Sequence, residues 1–191
     1  MESFEHLCKV ALEAEGFAVT SNVKFFVRRR TRRIEYEEYQ EHGYEIDLIG
    51  ARSKQLVLAE VKSYFGSVGV NRQGFKGLAD ESRRTHYDRY KFLNDPELRT
   101  AICNKACAQF GYTTDELVLR MYVGKFANGH ESIVRDHLSK LKPSIQIVGL
   151  GDVVSSLLSL ADRKTYIDDP VVMTIKALRA GGRLLDDRPD E

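Results

Sequence analysis

Two short segments hold the residues whose types and spacing could do chemistry: Glu45-Ile46-Asp47, and Glu60-Val61-Lys62 at the end of the run Gln55-Leu56-Val57-Leu58-Ala59. Side chains alternate along a strand, so Glu60 and Lys62 share one face, and Glu45 and Asp47 share one on the strand before. Both faces of Leu56 to Ala59 are apolar, the mark of a strand buried on both sides. An ionised carboxylate at the end of such a strand is costly unless a cation compensates it, and Asp47 and Glu60 on adjacent strands also repel each other. A divalent metal answers both problems. Oxygen ligands without clustered histidine or thiolate favour Mg²⁺ or Mn²⁺ over zinc. The competing reading is a salt-bridged strand end, Glu60 or Asp47 with Lys62, on a domain without catalysis.

The elements that must position these residues follow from periodicity. Phe4, Leu7, Cys8, Ala11 and Ala14 recur at helical spacing and Gly16 follows, which predicts a helix over Ser3 to Glu15. Strands are expected over Phe17 to Val27, Tyr44 to Gly50 and Gln55 to Lys62, the last two joined by the polar turn Ala51 to Lys54. Gly66, Gly69, Gly74 and Gly77 make the next stretch a loop. Helices are expected over Ala79 to Leu93, Pro96 to Phe110, Glu131 to Leu141, Asp152 to Ala161 with Asp152 as its cap, and Pro170 to Ala180. Strands are expected over Leu117 to Phe126 and Ser144 to Leu150. This order describes an α/β sandwich, a central mixed β-sheet flanked by helices. The core is expected in residues 1–150, with 151–191 a C-terminal helical extension on the same domain.

At 191 residues the chain is long enough for one sizeable core, and 42% apolar with 30% charged residues excludes a disordered chain. Three cysteines, Cys8, Cys103 and Cys107, are too few for a disulfide framework and one short of a four-thiolate metal site, which implies a reducing, cytoplasmic setting. The opening residues, with acids among the apolar positions, read as neither a signal nor a transit peptide, and no run reaches membrane-spanning length.

The motif residues resemble those of the PD-(D/E)xK, or restriction-endonuclease-like, nucleases, whose pattern is a carboxylate, a short hairpin, then apolar-E-x-K. EIDLIG followed by VLAEVKSY is similar to small nucleases of the Holliday-junction-resolvase and Mrr-like branches. The resemblance covers Phe4 to Tyr64. It implies a restriction-endonuclease-like sandwich and Mg²⁺-dependent hydrolysis of phosphodiesters, of DNA before RNA, with nucleic acid as partner, a homodimer as one possible assembly and no membrane. By the same resemblance Asp47, Glu60 and the backbone carbonyl of Val61 hold the ion, and Lys62 orients the attacking water or stabilises the transition state. Relatives also carry a glutamate in a first helix before a Gly-aromatic pair, which Glu5 and Gly16-Phe17 match. The more modest account of Glu5 is a first-turn acid favoured by the helix dipole and paired with Lys9. Ile46 stands where the family has proline, a change that removes no ligand.

The net charge of +1 hides a clustering of the 29 basic residues. Arg28, Arg29, Arg30, Arg32 and Arg33 either follow a nucleic-acid backbone or pair with Glu35, Glu37, Glu38 and Glu41 on a solvated ribbon. Arg83, Arg84 and Tyr87, near His86, Arg89, Tyr90 and Lys91, either contact phosphates and bases or pack a helix onto the sheet.

Overall fold

A computed structural model describes residues 3–30, 39–78 and 87–183. The elements are α1 (Ser3–Ala14), β1 (Ala18–Arg30), β2 (Tyr39–Arg52), β3 (Gln55–Lys62), α2 (Lys91–Asn94), α3 (Pro96–Phe110), β4 (Leu117–Val123), α4 (Glu131–Ser139), β5 (Ile145–Gly149), α5 (Leu150–Ala161) and α6 (Pro170–Ala180). The five strands form one sheet in the order β1-β2-β3-β4-β5. β1–β2 and β2–β3 are antiparallel, while β3–β4 and β4–β5 are parallel. The fold is therefore α/β with a mixed sheet flanked by helices.

Alternation along β3 sorts its side chains into two cores. Leu56 and Leu58 enter one, with Leu119, Met121, Ile102, Cys103 and Val134. Val57, Ala59 and Val61 enter the other, with Cys8, Leu12, Tyr122, Val153 and Leu157. α1 and α5 thus cover one face of the sheet, α3 and α4 the other. Each large apolar side chain so buried stabilises the fold by roughly 1.5–3 kcal/mol. Residues beyond 150 belong to the same body: Val153, Leu157 and Val172 share a core with α1. His6 Nε2 also lies 3.1 Å from the Asp169 carboxylate that caps α6.

Several boundaries differ from the sequence expectations. β2 is twice the expected length at 14 residues and β1 runs three residues further, to Arg30, because the charged stretch around Arg28 and Glu41 continues as a paired ribbon. The expected helix over Ala79 to Leu93 is, in its described part, a 3-10 turn at 87–90 and the four-residue α2; residues 79–86 lie outside the described set. α5 begins at Leu150, so Asp152 is not its cap. Its carboxylate instead reaches back, Oδ2 accepting from the Gly149 N–H at 2.9 Å. All three cysteines are buried thiols.

Candidate active site

The site forms where regular pairing stops. The β1–β2 ladder runs from Ala18↔Ala51 to Arg30↔Tyr39 and skips one pair, Asn22 opposite Asp47. Asn22 has φ of 57°, the left-handed region, where asparagine is among the few side chains at home. On the other side the β2–β3 ladder ends at Leu48↔Ala59. Ile46 lies in the α3 core and Leu48, two residues on, in the α1 core, so the in-out alternation of β2 breaks at Asp47. Lacking a ladder partner there, the Val61 N–H donates to Asp47 Oδ2 at 2.6 Å. The aspartate is thus fixed against the end of β3 by a charge-assisted bond.

Glu60 and Lys62 project together from that end. Lys62 Nζ donates to Glu60 Oε2 at 2.8 Å and stands 4.0 Å from Asp47 Oδ2. The side chains are 18% exposed for Asp47 and Lys62 and 10% for Glu60, so water screens them poorly. Burial, then the charge of Glu60, pushes the Asp47 carboxyl up to about 6, against the opposing pull of Lys62 and the Val61 N–H. Burial pulls the Lys62 ammonium down, but Glu60, Asp47 and the Glu60 hydrogen bond outweigh it and leave its pKa raised. Two carboxylates share one ammonium, and the set carries a surplus negative charge.

That surplus is the test of fit for a divalent cation: Asp47 and Glu60 are paired oxygen donors, and burial together with the charge of Glu60 makes the Asp47 carboxylate one that a further positive charge would favour. Among the described residues no three His, Cys, Asp or Glu side chains are gathered as a metal-holding group. Glu5 is therefore not drawn into one cluster with Asp47 and Glu60. It is half-buried on α1, and both it and Asp47 act on the Cys8 thiol, which burial chiefly, and these acids next, push up.

Sequence reasoning passed over Tyr64. It follows Lys62 by two residues, has φ of 49°, lies in the electrostatic neighbourhood of Lys62 and shares a hydrogen bond with Tyr90. Tyr90 in turn is pressed on Gly74, where a Cβ would meet its ring at 2.4 Å, so only glycine fits. The aromatic directly after E-x-K-Ser was the available signal. A cleft of about 510 Å³ opens beside the site, at the C-terminal ends of β4 and β5, lined by Val123, Gly124, Asn128, Arg135 and Gly149 among others. Its Val123 is the ladder partner of Lys62.

The basic residues divide. Arg28 and Arg30 are exposed on β1; the Arg29 side chain, Arg32, Arg33, Arg83, Arg84 and His86 lie outside the described residues. Tyr87 is half-buried in the turn before α2 and its carbonyl accepts from Asn94 Nδ2 at 3.3 Å. No described helix is long and apolar enough to cross a membrane.

No family model and no curated protein matches the chain. Among solved structures, the crystal structure of a protein of unknown function, AF1548, is similar at 15% identity and a TM-score of 0.41, over 94% of this chain and 77% of that one.

Proposed function

We propose that this chain is a metal-dependent nuclease that hydrolyses phosphodiester bonds, of DNA before RNA. The observation that carries the reading is the convergence of Asp47, Glu60 and Lys62 at the open end of the β2–β3 pair, with one negative charge in excess. Asp47 and Glu60 would hold Mg²⁺ or Mn²⁺, with the Val61 carbonyl as a further donor; Glu5, outside their cluster, is not part of that set. The ion would supply an acidified water and neutralise charge developing on the phosphate. Lys62, its pKa raised, stays an ammonium at neutral pH, so its role is electrostatic stabilisation of the phosphate oxygens and not proton abstraction. The Val61 N–H fixes which Asp47 oxygen is turned to β3 and leaves the other for the ion.

A second reading has one observation behind it. Lys62 already neutralises Glu60 at 2.8 Å, as in a structural ion pair on a non-catalytic nucleic-acid-binding or protein-interaction module. A cleavage assay over single-stranded, duplex and branched DNA and RNA, with Mg²⁺, Mn²⁺ or chelator, separates the two. The nuclease reading expects metal-dependent products from the wild type and a loss of at least about 100-fold in Glu60→Gln. Equal products from both proteins, or none from either on any substrate, contradict it.

A further inference from the structure

The β1–β2 pair continues past the site as an arm, Val23–Arg30 against Tyr39–Ile46. One face of the arm is core: Phe25, Val27 and Ile46 are buried, and Val23 and Tyr44 pack beside them. On the other face the described residues of both strands are exposed. α1 and the turn after it meet β2 at Arg52, whose guanidinium donates to the Glu15 carbonyl at 2.8 Å, and at Gly50 under Leu12, and Asp47 lies in the electrostatic neighbourhood of Cys8. Beyond that level Lys24, Phe26, Arg28 and Arg30 stand exposed in one row along β1, spaced by roughly 6–7 Å, two residues of strand.

Phe26 is the anomaly in this row. An exposed phenylalanine among three cations contributes nothing to solubility, and at 53% exposure it contributes little to the core. One side of its ring lies across Gly43, whose Cβ, if it had one, would stand 3.3 Å from Cε1. Covering a strand glycine is a known structural use of an aromatic ring, but it occupies only that side and holds the ring with the other turned to solvent. Next along the row the Arg28 guanidinium sits 4.9 Å over the Tyr39 ring, itself 47% exposed. The opposite row on β2 is acidic, with Glu41 opposite Arg28 and Glu45 3.7 Å from Lys24. A polyanion is therefore confined to the β1 side. Glu45 also acts on Asp47, so the row ends at the site.

We infer that this arm face binds a single-stranded stretch of nucleic acid, with an unpaired base stacked on Phe26 and its phosphates along Lys24, Arg28 and Arg30. Cations interleaved with an open aromatic face serve unpaired bases; a duplex keeps its bases stacked and offers phosphates alone. The inference rests on the nucleic-acid part of the function proposed above and names the substrate's form. It is tested without turnover, so its failure is distinct from a failure of catalysis.

The chain contains no tryptophan, which makes Phe26→Trp a clean reporter. Full-length wild type, Phe26→Ala, Phe26→Trp and Arg28→Ala would be titrated in chelator with a labelled oligothymidylate and with a blunt duplex, by anisotropy over a range of salt. The expected results are tighter binding of the single strand than of the duplex and about tenfold weaker single-strand binding by Phe26→Ala at unchanged salt slope. Arg28→Ala should lower that slope by about 0.7. Phe26→Trp should keep the affinity, with its emission quenched by the oligonucleotide. Wild-type affinity in Phe26→Ala, unquenched emission in Phe26→Trp, preference for the duplex, or no binding at all overturns the inference.

Discussion

Leu48, Ile49 and Gly50 of β2 are covered on both faces, whereas past Asp47 the same strand is covered on one. Charges fall in both regions and behave differently. At the boundary Asp47, Glu60 and Lys62 are shielded from water, and each moves the proton affinity of its neighbours. On the arm Lys24 and Glu45 stand 3.7 Å apart at 63% and 39% side-chain exposure, where water and salt screen them. Opposite charges at similar distances therefore amount to a shielded, mutually coupled cluster in one region and a solvated surface in the other. The interruption at Asn22 and Asp47 separates the two.

Removing the shared cation should break that contrast most visibly. Lys62 is the counterion of both acids, 2.8 Å from Glu60 and 4.0 Å from Asp47. Lys62→Met should cost about 3 kcal/mol in denaturant melts at pH 7.5, because it leaves two buried carboxylates uncompensated, and less at pH 5, where Asp47 takes up a proton. Wild-type stability in this variant at pH 7.5 would mean that the boundary is as solvated as the arm.

The next effect has the opposite sign. The Asp47 pKa is raised from 3.8 to about 6 on folding, so the folded state binds its proton more tightly. The resulting stabilisation is complete below about pH 3.8 and is lost as pH rises through about 6. Asp47→Asn, which keeps an acceptor for the Val61 N–H, should therefore match the wild type at low pH and exceed it above pH 6 by on the order of 2 kcal/mol. Saturating Mg²⁺ should close or invert that gap, because it stabilises only the carboxylate protein. Thermal melts across pH, with and without Mg²⁺, check both statements. The smallest effect belongs to the arm: Lys24→Ala should change stability by less than about 1 kcal/mol, and that change should vanish in high salt.

Much of this was legible from sequence. The apolar run ending in Glu60-Val61-Lys62 gave β3 its observed limits, because a strand buried on both faces leaves an unbroken apolar signal. The far ends of β1 and β2 leave a weaker signal, because beyond Asp47 only alternate residues are buried and charge dominates the pattern. The arginine run looked like one basic block, whereas alternation puts Arg28 and Arg30 in a row with Lys24 and Phe26. The left-handed Asn22, the ladder that stops at Leu48 and the half-buried Tyr64 are products of tertiary pairing, with no periodic trace in the chain. Asp152 showed the right residue type for a cap but three positions inside the helix, the place from which a carboxylate reaches back.

The central claim is that the surplus charge of Asp47 and Glu60 is a place for a divalent ion, and Mn²⁺ binding followed by loss of the free-ion paramagnetic resonance signal tests it most directly. The account predicts saturable binding to the wild type that weakens as pH falls through about 6, together with marked loss of affinity in Asp47→Asn and Glu60→Gln. Binding that is equally tight in all three proteins, or indifferent to pH across that range, would contradict it.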